Sequence, residues 1–100
     1  MSGGNEIIHQ AMRLKIMAAL NAISSKKTAI EFIRLKALLG ATDGNLGAHL
    51  ETLEEAGYIV IEKRFEARKP QTRVRMSPAG RRAFAEHVAY LREVIDSAGA

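Results

Sequence analysis

Apolar residues recur along this chain at two periods, and the switch between them divides it into segments. Ile8, Met12, Ile16, Leu20 and Ile23 return every three or four residues, which predicts one amphipathic helix from Glu6 to Ile23. Ser24-Ser25-Lys26-Lys27 is a polar break, and Thr28-Ala29-Ile30-Glu31 fits a short strand. A second helix is expected from about Phe32 to Leu39, with Leu35, Leu38 and Leu39 as its apolar side and Gly40 as its stop. Leu46, Leu50 and Leu53 mark a third helix. Thr42 suits its N-cap, because the hydroxyl can accept from an unpaired amide, and Gly57 suits its end.

The period then changes to two. Tyr58 to Phe65 is rich in β-formers, Glu66-Ala67-Arg68-Lys69-Pro70 reads as a hairpin tip, and Gln71 to Met76 returns. On the return strand Thr72, Val74 and Met76 alternate with Arg73 and Arg75, so the two sets face opposite ways. Ser77-Pro78 starts the last helix, where a proline without an amide proton does no harm. Phe84, Val88, Leu91 and Ile95 follow at 4-3-4 spacing, a seam of the coiled-coil kind. The fold expected is mainly α with a small β-hairpin: helix, short strand, two helices, hairpin, and a long C-terminal helix.

Charge sharpens this. The 100 residues carry a net charge of +4, but the distribution is uneven. Between Gly57 and Arg82 lie Lys63, Arg64, Arg68, Lys69, Arg73, Arg75, Arg81 and Arg82, opposed only by Glu62 and Glu66. The rest of the chain is mildly acidic. A local basic stripe on such a background is the footprint of a polyanionic partner. Apolar content of 47% argues against disorder. The absence of cysteine excludes disulfides and thiolate metal sites. No apolar run approaches the ~18 residues of a membrane span, and Met1-Ser2-Gly3-Gly4 lacks a secretory apolar core. A cytoplasmic protein is expected, with no membrane partner.

The helical pair ending in His49-Leu50-Glu51-Thr52-Leu53-Glu54-Glu55-Ala56-Gly57-Tyr58, with Lys69-Pro70-Gln71-Thr72-Arg73-Val74 in the hairpin and Ser77-Pro78-Ala79-Gly80-Arg81-Arg82 after it, resembles winged helix-turn-helix transcriptional regulators. It is similar to the MarR-like and ArsR-like kind, in a small one-domain branch. Ile8 to Ile16 and Phe32 to Leu39 add to the match, which spans about residues 7–96. The domain plan expected is a flexible tail at 1–5 and one winged helix domain at 6–98. Within that domain the helix-turn-helix covers 32–57, the wing 58–76 and a dimerisation helix 78–97.

The resemblance implies a homodimeric repressor on palindromic double-stranded DNA, with the third helix in the major groove and the wing on the minor groove or backbone. Thr42, Asn45, His49 and Thr52 lie off the leucine face of that helix. Asn45 suits adenine, and His49 a base or phosphate. Lys63, Arg64, Arg68, Lys69, Arg73 and Arg75 supply the wing, with Arg68 and Lys69 nearest its tip. Ile8, Met12, Phe84, Val88, Leu91 and Ile95 are the dimer-interface candidates.

Regulators of this kind often carry Ser and a larger polar residue before the His-Leu pair. Here Gly47 and Ala48 stand there, which favours close backbone approach over side-chain readout. No catalytic constellation, glycine-rich phosphate loop or helical histidine pair is present, so no enzyme, metal or cofactor is expected. The alternative is a winged helix that docks an acidic protein partner with the same stripe. A small-molecule effector is left open.

Overall fold

Two short side chains decide how the N-terminal part of the chain folds. Asn5 Oδ1 accepts from the amides of Ile7 and Ile8 at 2.9 and 3.0 Å, capping helix α1 (Glu6–His9). Gln10 then takes an extended conformation, φ −62° and ψ 132°, and its Oε1 accepts from Arg13 N at 3.0 Å to cap α2 (Ala11–Ala22). The one helix expected from Glu6 to Ile23 is therefore two. Periodicity missed the break because a single extended residue between Ile8 and Met12 leaves both on the buried side, and apolar spacing reports burial, not φ and ψ.

The computed structural model describes residues 3–23 and 29–99. The polar break at 24–27 and Thr28 lie outside them. β1 (Ile30–Glu31), α3 (Phe32–Leu39), α4 (Asp43–Glu55), β2 (Ile59–Glu66), β3 (Lys69–Met76) and α5 (Pro78–Gly99) complete the order. The strands form one antiparallel sheet in the order β1-β3-β2. Ile59 pairs with Met76 and Ile61 with Val74, while Ile30 flanks Val74 on the other side. This face of the sheet closes over a core of Ile8, Ile16, Met17, Leu20 and Leu35 together with Leu46, Leu50 and Leu53 of α4. The helix-turn-helix thus rests on the sheet through its leucines.

The turns follow the residues that make them. Gly40 ends α3 at φ +62°. Thr42 Oγ1 accepts from Asn45 N at 3.2 Å and starts α4. Gly57, at φ +80°, ends it in a paired motif: Tyr58 N donates to Leu53 O at 3.0 Å and Gly57 N to Glu54 O at 2.9 Å.

The wing is tighter than its sequence suggests. The expected five-residue tip is a two-residue turn, Ala67-Arg68, flanked by the ladder pair Glu66 and Lys69. Both turn residues have positive φ, 51° and 66°. Hairpin turns of this hand normally use Asn or Gly there, so the composition concealed the turn. Pro70 sits in β3 beyond the short reach of β1, where no second neighbour needs its missing amide.

Ser77 caps α5 by accepting from Gly80 N at 2.9 Å. The helix is buried in its own domain only as far as His87. The chain extends 56 Å along its long axis against 25 and 22 Å across it. No helix among the described residues is long and apolar enough to cross a membrane.

Candidate nucleic-acid interface

The outward face of α4 is bare and short. Gly44, Asn45 and Ala48 are exposed on it, and the helix turns acidic further along at Glu51, Glu54 and Glu55. Only its N-terminal half can approach a phosphate backbone without charge repulsion. Asp43, at that end, is already paired: Lys36 Nζ of α3 lies 2.6 Å from its Oδ1, tying the two helices across the turn.

The other polar candidates on α4 are partly engaged. His49 Nδ1 lies 3.1 Å from a guanidinium nitrogen of Arg13. Because that guanidinium can only donate, Nδ1 is the acceptor, and in the neutral ring the proton sits on Nε2. Arg13 Nε also donates to Ile7 O, a carbonyl left free at the end of α1. Arg13 thus anchors a candidate reading residue to the N-terminal helices. Nothing in the spacing of Arg13 marked it, since the contact spans 36 positions. Thr52 donates its hydroxyl to Ala48 O at 3.3 Å within α4.

The wing has two chemically different faces, fixed by its register. Val60, Glu62, Arg64, Glu66, Lys69, Gln71, Arg73 and Arg75 share the face turned away from the core. Here acids and bases neutralise one another. Arg75 Nε lies 2.9 Å from Glu62, and Glu66 receives Arg73 at 3.4 Å and Arg64 at 3.5 Å. Glu31 stands opposite Arg73 in the neighbouring strand. The other face continues the buried rungs outward as Lys63 with Thr72 and Phe65 with Pro70, and it carries no acid. Among the described residues Lys63, Arg68 and Lys69 make no ion pair, and all three are exposed.

The six dimer candidates separate in the same way. Ile8 is fully buried and Phe84 nearly so, both inside their own chain, so neither has surface left for a partner. The seam spacing was sound but did not say which positions the domain itself covers. Met12, Val88 and Leu91 are half-buried. Ile95 is 68% exposed and Val94 43% exposed on the distal part of α5.

A polar cluster that the sequence did not reveal joins both chain ends. Asn5 N donates to His87 Nδ1 at 3.0 Å, and Asn5 Nδ2 donates to Tyr58 Oη at 2.8 Å. His87 is buried, its ring lies 6.1 Å edge-on from His9 and 6.0 Å stacked from Tyr90, and its Nε2 has no partner among the described residues. Burial, with a smaller contribution from the neighbouring His9, holds its pKa below the ordinary imidazole value of 6.5.

The neutral form is the one that fits, because Nδ1 must stay an acceptor for Asn5. The unfolded chain therefore binds the extra proton more readily. Stability linked to His87 is complete above about pH 6.5 and is lost as the pH falls through the lower folded value. Denaturant titrations from pH 7.5 to 5 are expected to show this loss, and His87→Gln to abolish most of it. An equal loss in the variant would place the titration elsewhere.

A two-helix turn resting on a three-stranded sheet, with a projecting hairpin and a trailing helix, is the winged helix-turn-helix fold. Residues 12–95 match the family described as winged helix DNA-binding domain. The chain belongs to that family. An uncharacterised protein of Methanocaldococcus jannaschii is 34% identical over 83 residues, which is 83% of this chain and 86% of that protein. Among solved structures, a transcriptional regulator homologue from Pyrococcus horikoshii OT3 superposes with a TM-score of 0.84 at 27% identity, covering 96% of this chain and 91% of that one. A proposed transcriptional regulator from Thermoplasma acidophilum shares the fold, with a TM-score of 0.63 at 22% identity and 93% and 92% coverage.

Proposed function

We propose that this protein is a homodimeric transcriptional repressor that grips duplex DNA mainly by backbone contact and shape. The observation that carries this reading is the pairing of a bare α4 N-terminus with a wing whose unpaired cations gather at its tip. The solved neighbour described as a transcriptional regulator homologue supports the regulatory role.

In this reading α4 enters the major groove by its first two turns. Thr42 caps the helix, Asn45 meets a base edge, and the Nε2–H of His49 donates to a base or phosphate acceptor. Thr52 is a lesser contact, because its hydroxyl is already bonded. Lys63, Arg68 and Lys69 meet phosphates or the minor groove. Arg64, Arg73 and Arg75 shape the outer face, where carboxylates offset them. Val88, Leu91, Val94 and Ile95 of α5, with Met12, form the dimer face. The two-fold axis sets the α4 helices about 34 Å apart on a palindromic site. The working domain is 6–98, and its solubility and DNA partner suit the cytoplasm.

Gly44 and Gly47 provide the test. A Cβ at either position would meet nothing within 4 Å, so nothing in the free protein requires glycine there. Each costs helix stability of about 0.5–1 kcal/mol relative to alanine. Gly44→Ala with Gly47→Ala is expected to raise the melting temperature yet weaken binding to duplexes selected from a random pool. The wild type should enrich a palindrome from that pool. A double variant that is both more stable and equally tight would remove the backbone-approach reading. Failure to enrich any duplex would favour the protein-docking alternative.

A further inference from the structure

The exposed end of the wing carries an apolar pair that neither the core nor the charge pattern accounts for. Phe65 is 77% exposed and lies directly across the ladder from Pro70, which is exposed as well. Both sit on the face that continues from Ile61 and Val74, four residues beyond them along β2, or about 13 Å at strand rise. That face is the one applied to the helices, including the leucines of α4. It is also the face without an acid, whereas Glu62 and Glu66 stand on the other. Lys63 adjoins the pair on the same face and Arg68 lies in the turn beyond it, while Lys69 stands opposite Glu66 on the other face. A polyanion lying against α4 would therefore meet Phe65 and Pro70 on the helix side of the wing, between the unpaired Lys63 and the turn residue Arg68.

The tip is also built to hold its shape. Ala67 and Arg68 both sit at positive φ, which makes a turn of only two residues. The hairpin is thus a narrow, fixed blade, and flexible loop residues do not blunt it. An exposed aromatic on such a blade gains nothing in water from its position. Against a base-pair edge it can enter and partly unstack a step, as apolar side chains of minor-groove proteins do.

We propose that Phe65, backed by Pro70, is a wedge that the wing inserts at a base step in the minor groove, bending the duplex toward the major groove held by α4. The proposal rests on the DNA-binding reading above and adds to it a deformation of the DNA. It also adds a source of sequence preference at a position that α4 never touches. Pyrimidine–purine steps unstack most readily, so TA or CA/TG should lie where each wing lands.

The test uses the full-length protein and a duplex selected from the random pool. Its two ends carry a fluorescent donor and acceptor, and 2-aminopurine replaces adenine at the wing step. The wild type is expected to shorten the end-to-end distance and to raise 2-aminopurine fluorescence several-fold. Phe65→Leu keeps an apolar wedge and should retain most of both signals. Phe65→Thr keeps strand propensity without the reach, and should bind while returning both signals to those of the free duplex. Because Phe65 is exposed, neither variant should change the melting temperature.

A wild type that binds a straight duplex with quenched 2-aminopurine would overturn the wedge, as would a Thr variant that bends DNA as strongly as the wild type. Loss of binding by the Leu and Thr variants together would overturn it too, by showing that Phe65 only holds the hairpin. Absence of any duplex binding by the wild type is a separate outcome, and it would remove the DNA reading itself.

Discussion

Alanine at Gly80 is expected to remove much of the stability of this domain, although glycine-to-alanine changes inside helices usually add about 0.5–1 kcal/mol. The sign reverses because of what the first turn of α5 leans on. A Cβ at Gly80 would lie 1.9 Å from Tyr58 O, 2.8 Å from Tyr58 C and 3.0 Å from its Cα. These are backbone atoms, so no flexible side chain can move aside. The same carbonyl accepts from Ser77 N at 3.0 Å, and Ser77 Oγ both accepts from Gly80 N and donates to Gly57 O at 2.6 Å.

Relieving the clash therefore means lifting α5 off the end of α4 and loosening three hydrogen bonds. Overpacking of this kind costs about 1–3 kcal/mol or more, and each bond adds roughly 1 kcal/mol. The total, about 4–6 kcal/mol, is a large share of the roughly 5–15 kcal/mol that holds a small domain together. Thermal denaturation should show a fall of about 15 °C or more. Gly44→Ala, where a Cβ meets open space, should move the other way. A Gly80→Ala protein that melts with the wild type would mean that α5 does not seat on Tyr58 as described.

Gly80 also marks the boundary of what the chain discloses in one dimension. Features that depend on a few neighbouring residues were legible. The leucine stripe of α4, the Thr42 and Ser77 caps, the Gly40 and Gly57 stops and the alternation of β3 all follow from local physics, and together they give the winged helix. Features that depend on pairing across the fold were not. Arg73 and Arg75 stand in the sequence as wing cations like Arg68 and Lys69 until the fold sets Glu62 and Glu66 beside them. His49 reads as a free imidazole until Arg13 arrives from the other end of the chain. The buried Asn5–His87 bond spans 82 positions.

The seam on α5 shows both cases at once. Its spacing reports a helix with one apolar side, but only the tertiary fold assigns Phe84 to the core and leaves Ile95 open. Even the break at Gln10 is of this type, since the residue is extended so that α1 can turn onto α5, and its neighbours keep their period.

The neutralised cations lead to the second large effect, which concerns binding. Arg68→Ala with Lys69→Ala removes two cations that have no ion-pair partner among the described residues. If both contact phosphate in each half of a dimer, the slope of log K against log salt should become shallower by about 3.6. Over a fourfold change in salt, such a difference amounts to about 150-fold in relative affinity. The loss should be the same on every duplex sequence, because phosphate contacts carry no base information.

Arg73→Ala with Arg75→Ala removes the same formal charge, yet should change the slope much less. Those guanidiniums already face Glu62 and Glu66, and deleting them exposes the acids without releasing bound counterions from DNA. Fluorescence anisotropy from 50 to 300 mM salt on one duplex measures all three proteins together. Equal slopes for the two double variants, or a larger change at Arg73 and Arg75, would place the DNA on the outer face of the wing. That result would also move Phe65 out of its reach, because Phe65 lies on the opposite face of the same two strands.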